Sequence, residues 1–207
     1  MKEMFKNACI LLAITLISGL VLGFVYDLTK EPIRVQQENK KNEAYKAVFA
    51  DASEFEVISE KPDLDPADVT AYVAAKGYDA SVDEILAALD ANKNRIGYVL
   101  VITDHEGYGG DITFAMGITQ EGILNGVSLL SISETAGLGM RAEEVLVPQM
   151  PGKDMNHEIS FTKTGGAGEN DVDAISGATI TTTAFVNGIN AGRTVFTELL
   201  LAGKGAV

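Results

Sequence analysis

The sequence predicts an α+β protein: a single N-terminal transmembrane helix, then a compact domain in which an antiparallel sheet is flanked by helices. Three observations carry this. No charged residue lies between Lys6 and Asp27, and about 20 apolar residues at about 1.5 Å each span the roughly 30 Å of a bilayer's hydrocarbon core. From Ile96 to Ser131, three segments rich in β-branched and apolar residues are separated by glycine-bearing turns. Finally, Phe185, Ile189, Phe196 and Leu200 fall near helical spacing in a stretch from Thr179 to about Leu201.

The elements follow in order. The apolar run from Ala8 to Tyr26 reads as the membrane helix, so residues 1–27 form the anchor. A cleaved signal peptide is the rival reading, but no clear small-x-small site precedes Asp27. Cys9 stands at the start of the run rather than after it, so it is not a lipobox cysteine, and a buried structural thiol is expected. Lys2 and Lys6 precede the helix and Lys30, Arg34, Lys40 and Lys41 follow it, so the positive-inside count does not decide orientation. Long domains translocate largely regardless of charge, and the expected topology places the amino terminus inside and the domain outside. Residues 28–80 read as a juxtamembrane helix or linker followed, after 51, by loops around Pro62 and Pro66. Ser81-Val-Asp-Glu84 has capping-box spacing ahead of Ile85, Leu86 and Leu89, which predicts a helix of about three turns ending near Asn92 or Asn94. Ile96–Thr103, Asp111–Thr119 and Ile123–Ser131 then predict a three-stranded meander, residues 142–163 an irregular stretch, and Thr179 the start of the last helix. The compact domain is expected over residues 81–203.

Composition narrows the function. The 207 residues are 46% apolar, enough to fill a core. With 16 Lys+Arg against 29 Asp+Glu the formal charge is −13, which argues against nucleic acid as a partner because phosphate neutralisation needs clustered cations. One cysteine excludes an internal disulfide framework and a cysteine-held iron–sulfur cluster. His105 and His157, the only histidines, have no metal-ligand spacing, and neither a nucleophile elbow nor a phosphate-binding P-loop is present.

Three segments could carry chemistry. Asp171 to Thr183 leads small and hydroxyl residues into a predicted helix, whose first turn offers unpaired N–H groups and partial positive charge suited to a phosphate. Gly177 and Ala178 allow close backbone approach, and Ser176, Thr179, Thr181 and Thr182 supply hydroxyls. Taken alone, this is an ordinary Ser/Thr-rich N-cap. Ser133-Glu-Thr-Ala-Gly-Leu-Gly139 is a tight loop with Glu134 and Thr135 beside it, by default a plain turn. Gly107-Tyr-Gly-Gly110 reads as a glycine-rich hairpin.

Together the three segments resemble the covalent FMN-binding domain family. Asp173-Ala-Ile-Ser-Gly-Ala-Thr179 is similar to its flavinylation motif, Ser133–Gly139 to its ETPGLG loop, and Gly107–Gly110 to its GYGG turn. Motif order, anchor and length resemble the G-subunit family of Rnf-type ion-translocating ferredoxin:NAD oxidoreductases, with the C subunit of the sodium-pumping NADH:quinone reductase as the nearest confusable relative. The resemblance implies FMN held through a phosphoester on Thr179, with Ser176, Gly177, Ala178 and Asp173 from the motif and Glu134, Thr135, Gly137 and Leu138 from the loop around it. It implies a flavin transferase using FAD and Mg²⁺, partner subunits of a membrane electron-transport complex, a single-pass inner-membrane location with the flavin domain extracytoplasmic, and a redox subunit without turnover of its own. Ala136 replaces the family's usual proline and Ile132 a frequent histidine. The alternatives are a stand-alone anchored flavoprotein reductase and a non-enzymatic anchored binding module. Charge gives the ester a rationale: from Ile96 to Val207, 5 Lys+Arg stand against 13 Asp+Glu, so a dianionic phosphate is repelled at long range and a covalent bond solves retention.

Overall fold

The structure, a computed structural model, describes residues 1–58, 64–166 and 168–201. Pro62 and the last two positions of the expected 81–203 domain lie outside the described residues. The chain separates into two compact units, Met1–Lys40 and Lys41–Val207. Helix α1 (Lys2–Val48) crosses that division. Its apolar part is long enough to cross a membrane and none of it is buried. Cys9 is accordingly exposed, not a buried thiol. The rest of the first unit is held by local pairs, Arg34 with Glu31 and Glu38.

In the second unit, β1 (Glu54–Val57), β2 (Ala80–Leu89), β3 (Arg95–Asp104), β4 (Ile112–Thr119) and β5 (Leu124–Ile132) form one antiparallel sheet in sequence order. The expected meander is its β3–β4–β5 part. The expected helix from Ser81 is instead strand β2, a correction with a clear cause. Ile85 to Leu89 are all buried, because β2 sits between β1 and β3 with both faces covered. An apolar run buried on both faces has no alternation to separate it from a helix. Nor do Ser81 and Glu84 cap anything. The Ser81 hydroxyl donates to Asp83, and a bulge between Val82 and Glu84 aims the Glu84 carboxylate at the end of α1, where it accepts from the Tyr45 hydroxyl at 2.6 Å and pairs with Lys41.

The loops expected after residue 51 hold β1 and a short helix, α2 (Pro66–Ala75). Asp65 caps α2 by accepting the Ala67 N–H, with Pro66 in the first turn. One sheet face carries the larger core, in which Leu100, Ile102, Phe114 and Met116 meet Phe185, Ile189 and Phe196. On the other face Ala44, Tyr45, Val48 and Phe49 cover Val99, Val101 and Ala115.

The stretch expected to be irregular contains α3 (Ala142–Val145) and strand β6 (Ser160–Thr162), which pairs in parallel with β7 (Asp171–Asp173). Lys153, only 9% exposed, staples this lobe by donating from Nζ to the Glu169 and Asp171 carbonyls at 2.8 and 2.7 Å. The Asn190 side chain bonds both backbone groups of Ile159 and fixes the lobe to α4 (Thr179–Thr194). Helix α4 starts where expected but turns π-helical over Val195–Leu200.

Candidate functional site

Strand β7 delivers the chain to α4 through a short turn with a dense set of backbone bonds. The Asp173 N–H donates to Gln149 Oε1 while Gln149 Nε2 donates back to the Asp173 carbonyl. Ala174 N–H donates to the Thr162 carbonyl, Ile175 N–H to Thr182 Oγ1 and Ala178 N–H to the Ile175 carbonyl. The turn is therefore rigid before any ligand arrives. The first intrahelical bond of α4 runs from Thr182 N–H to the Ala178 carbonyl. The N–H groups of Thr179, Ile180 and Thr181 precede it, and no side chain caps them.

The threonines of that turn divide by what their hydroxyls do. Thr182 and Thr183 donate to the carbonyls four residues back, both at 2.9 Å. Thr181 is 1% exposed, packed where a Cβ on Gly139 would come within 2.6 Å of its oxygen. Thr179 is half-buried, and its hydroxyl makes no hydrogen bond to any described residue. Among these threonines it is thus the one whose hydroxyl is both reachable and uncommitted.

Thr179 opens on a cavity of about 520 Å³, within the range of small-molecule sites. It is lined by Gly177–Thr181, by Glu134, Thr135, Leu138 and Gly139 of the facing loop, and by Tyr108. The facing loop turns at Gly137, whose φ of +75° favours glycine, and closes by Leu138 and Met140 N–H bonds to the Thr135 carbonyl. Glu134 is wedged between two glycines: a Cβ on Gly107 would lie 2.9 Å from its Oε1, and one on Gly139 2.8 Å from its Oε2. Both carboxylate oxygens are buried without a hydrogen-bond partner among the described residues. A buried acceptor left unpaired costs about 1–3 kcal/mol.

These features fit FMN. The uncapped turn of α4 suits the phosphate. Glu134, as a carboxylate, only accepts, and its unmet oxygens match the imide N–H of a flavin ring or the hydroxyls of its ribityl chain. The apolar sides of Leu138, Ile180 and Tyr108 suit a flat aromatic ring.

Of the residues expected from sequence, the structure places Glu134, Thr135, Leu138, Gly177, Ala178 and Thr179 on the cavity. Asp173 ends β7, Ser176 is an exposed turn residue and Gly137 is the turning point of the facing loop; none of these three lines the cavity. Tyr108, Gly139, Ile180 and Thr181 also line it. The glycine-rich hairpin and the final glycine of the loop were the available signals for Tyr108 and Gly139. Thr181 is one of the hydroxyl residues singled out in the sequence, whereas nothing there separates Ile180 from other first-turn residues.

Residues 107–193 match the family model of the FMN-binding domain, and residues 1–48 match that of the RnfG N-terminal region. Fold and cavity thus define an FMN-binding domain carried behind an apolar N-terminal helix. The chain belongs to the RnfG family, the G subunits of ion-translocating oxidoreductase complexes. It is similar to the G subunit of the ion-translocating oxidoreductase complex of Methanosarcina acetivorans, 30% identical over 91% of this chain and 92% of that protein. It is similar, too, to the G subunit of the Na(+)-translocating ferredoxin:NAD(+) oxidoreductase complex of Acetobacterium woodii, 28% identical over 96% of this chain and 94% of that one. Among solved structures, Shewanella oneidensis NqrC shares the fold at a TM-score of 0.51 and 16% identity, over 78% of this chain and 88% of that one.

Proposed function

We propose that this protein is the electron-carrier subunit of a membrane-bound, ion-translocating ferredoxin:NAD oxidoreductase, with FMN esterified to Thr179. The observation that carries the reading is the pairing of an uncommitted Thr179 hydroxyl, at an uncapped helix start, with the unpaired Glu134 carboxylate across the cavity. When bound, the flavin supplies reversible acceptance and release of electrons. The protein's part is to hold and tune it. The first turn of α4 receives the phosphate, Glu134 orients the ring or ribityl chain, and Leu138 and Ile180 exclude water from one side. No general acid or base is assigned, because bare electron transfer needs none. The protein turns nothing over alone and works among the other subunits of its complex.

The apolar segment of α1 anchors it in the inner membrane as a single pass, with the flavin domain extracytoplasmic. A flavin transferase using FAD and Mg²⁺ installs the cofactor. Covalent retention suits a domain whose acidity opposes a dianionic phosphate at long range.

Production of the full chain together with a flavin transferase tests this. The intact mass should rise by one FMN, mapping to the peptide that holds Thr179, and the band should fluoresce in a denaturing gel. Thr179→Ala should lose both signals while keeping its melting temperature, since a half-exposed hydroxyl without a partner contributes within about 0.5 kcal/mol. A fully loaded variant would move the site to another threonine, and an unmodified wild type would end the electron-carrier account.

A further inference from the structure

Asp104 ends β3 and is wholly buried, at 0% exposure. Its Oδ1 accepts the Glu106 N–H at 2.9 Å, and its Oδ2 has no partner among the described residues. The carboxyl lies under α4 at a close approach of helix to sheet: a Cβ on Gly188 would sit 2.9 Å from the Phe114 ring and 3.3 Å from the Asp104 Cβ. From Asp104 the chain turns directly into the hairpin His105–Asp111, which carries Tyr108 on the cavity and Gly107 against Glu134. The Asn187 side chain of α4 holds the hairpin's Glu106 at 2.7 Å.

We propose that Asp104 is a proton-exchanging positioning residue, whose gain or loss of one proton sets how firmly the hairpin and its Tyr108 are held against the cavity. Resting on the reading of that cavity as the flavin site, this makes the cofactor's surroundings proton-linked.

The surroundings of Asp104 favour the protonated form. Burial is the main cause that raises its pKa, to about 7; the Glu106 N–H opposes this, Glu106 and Asp79 add to it, and His105 lowers it again. Helix α4 contributes no charge before Arg193. Protonated, the side chain is neutral, keeps the Glu106 N–H on one oxygen and carries the proton on the other. Deprotonated, it is an anion with a single donor, and its remaining lone pairs demand water. Water reaches them most easily by loosening the hairpin, because the turn at Glu106 is the part of the enclosure not built from packed strand or helix. The proton goes to and comes from solvent, and no other reactant is needed. The base of the hairpin is separately clamped by His105 Nδ1 and Asp111 at 3.0 Å, so the two groups must be told apart.

Amide hydrogen exchange on the full chain in detergent, without flavin, separates them once rates are corrected for intrinsic pH dependence. Protection of residues 105–111 should fall about tenfold between about pH 6 and about pH 8.5 in the wild type. It should stay high and flat in Asp104→Asn, which mimics the protonated acid, and should still fall in His105→Gln. A flat wild-type profile, a pH-dependent Asp104→Asn, or a flat His105→Gln would each overturn the proposal. If Asp104→Asn does not fold, infrared spectra of the wild type decide: one protonated carboxyl must disappear over the same range, and its absence overturns the proposal. Flavin-loaded protein supplies the last arm. A hairpin that titrates while flavin absorbance ignores pH would refute the flavin reading of the cavity and leave the proton exchange at Asp104 standing.

Discussion

The lobe around β6 and β7 and the cavity with its adjoining hairpin both carry carboxyl groups, yet they treat them in opposite ways. In the lobe no buried side-chain N or O atom of the described residues lacks a partner. Asp154 accepts from the Asn156 backbone and side chain and pairs with His157, and Asn170 donates to the carbonyls of Asp154, His157 and Glu158. At the cavity both oxygens of Glu134, and at the base of the adjoining hairpin one of Asp104, are buried and unmatched among the described residues. The two environments push carboxyl chemistry in opposite directions as well. Donated hydrogen bonds, the Asn156 N–H first, hold Asp154 below the usual carboxylate range, whereas burial lifts Asp104 to about 7. A completed polar network is architecture, and an incomplete one beside an open cavity leaves hydrogen-bonding capacity that a ligand or a proton completes.

The sharpest way to break this contrast is to remove a donor from the saturated side. Lys153→Met deletes the buried ammonium that serves two part-buried backbone carbonyls, and each acceptor left without a donor costs about 1–3 kcal/mol. We expect a loss of about 3 kcal/mol in chemical denaturation of the full chain. A loss below about 1 kcal/mol would mean that water replaces the ammonium, and that the lobe is less closed than its bonding implies.

The next effect lies on the unsaturated side and depends on pH. Asp104 binds its proton more tightly folded, near 7, than at its ordinary 3.8. The stability that the bound proton contributes is therefore fully present below about pH 4 and lost as pH rises to about 7. Relative to Asp104→Asn, the wild type should weaken steadily across that window, by at most about 1.4 kcal/mol per pH unit. Local opening of the hairpin hydrates the anion and limits the total to about 2 kcal/mol. Parallel slopes for the two proteins from about pH 4 to about pH 8 would show that Asp104 is ionised throughout. His105 adds to the same trend in both, since its pairing with Asp111 raises its pKa and that stabilisation also fades as pH rises through it.

Much of this fold is legible in the sequence, for identifiable reasons. Strands β3 to β5 show because their turns at Gly107–Gly110 and Gly122 punctuate the chain. Helix α4 and its π-helical continuation show because Phe185, Ile189 and Phe196 are apolar, near helical spacing and buried. Strand β2 is hidden because burial on both faces erases its alternation, and because Ser81 and Glu84 imitate a cap while Glu84 serves the end of α1 across 39 residues. Strands β6 and β7 have three residues each and depend on Lys153 and Asn190, which is tertiary information. At the site, the resemblance singles out Thr179 among the threonines; what the sequence does not show is the physical difference between them, that Thr182 and Thr183 bond back to the helix and Thr181 is buried. The unpaired state of Glu134 and Asp104 is likewise invisible until the neighbours are placed.

The smallest effect is the most discriminating. Glu134→Gln keeps the shape and gives one of the two orphaned positions donors of its own. In the flavin-free protein it removes a buried ionisable acceptor that nothing completes, so stability should hold or rise by about 1 kcal/mol. In the flavin-loaded protein the same change replaces an acceptor-only group with one that is half donor, so it should cost binding order at the ring or ribityl chain, read as a shifted flavin absorbance and faster quenching by solvent. Opposite signs in the two states identify Glu134 as a residue whose partner is the ligand. A loss of stability in the flavin-free protein comparable to that of Lys153→Met would instead place Glu134 with the saturated lobe, as architecture, and remove the main support for reading the cavity as a flavin site.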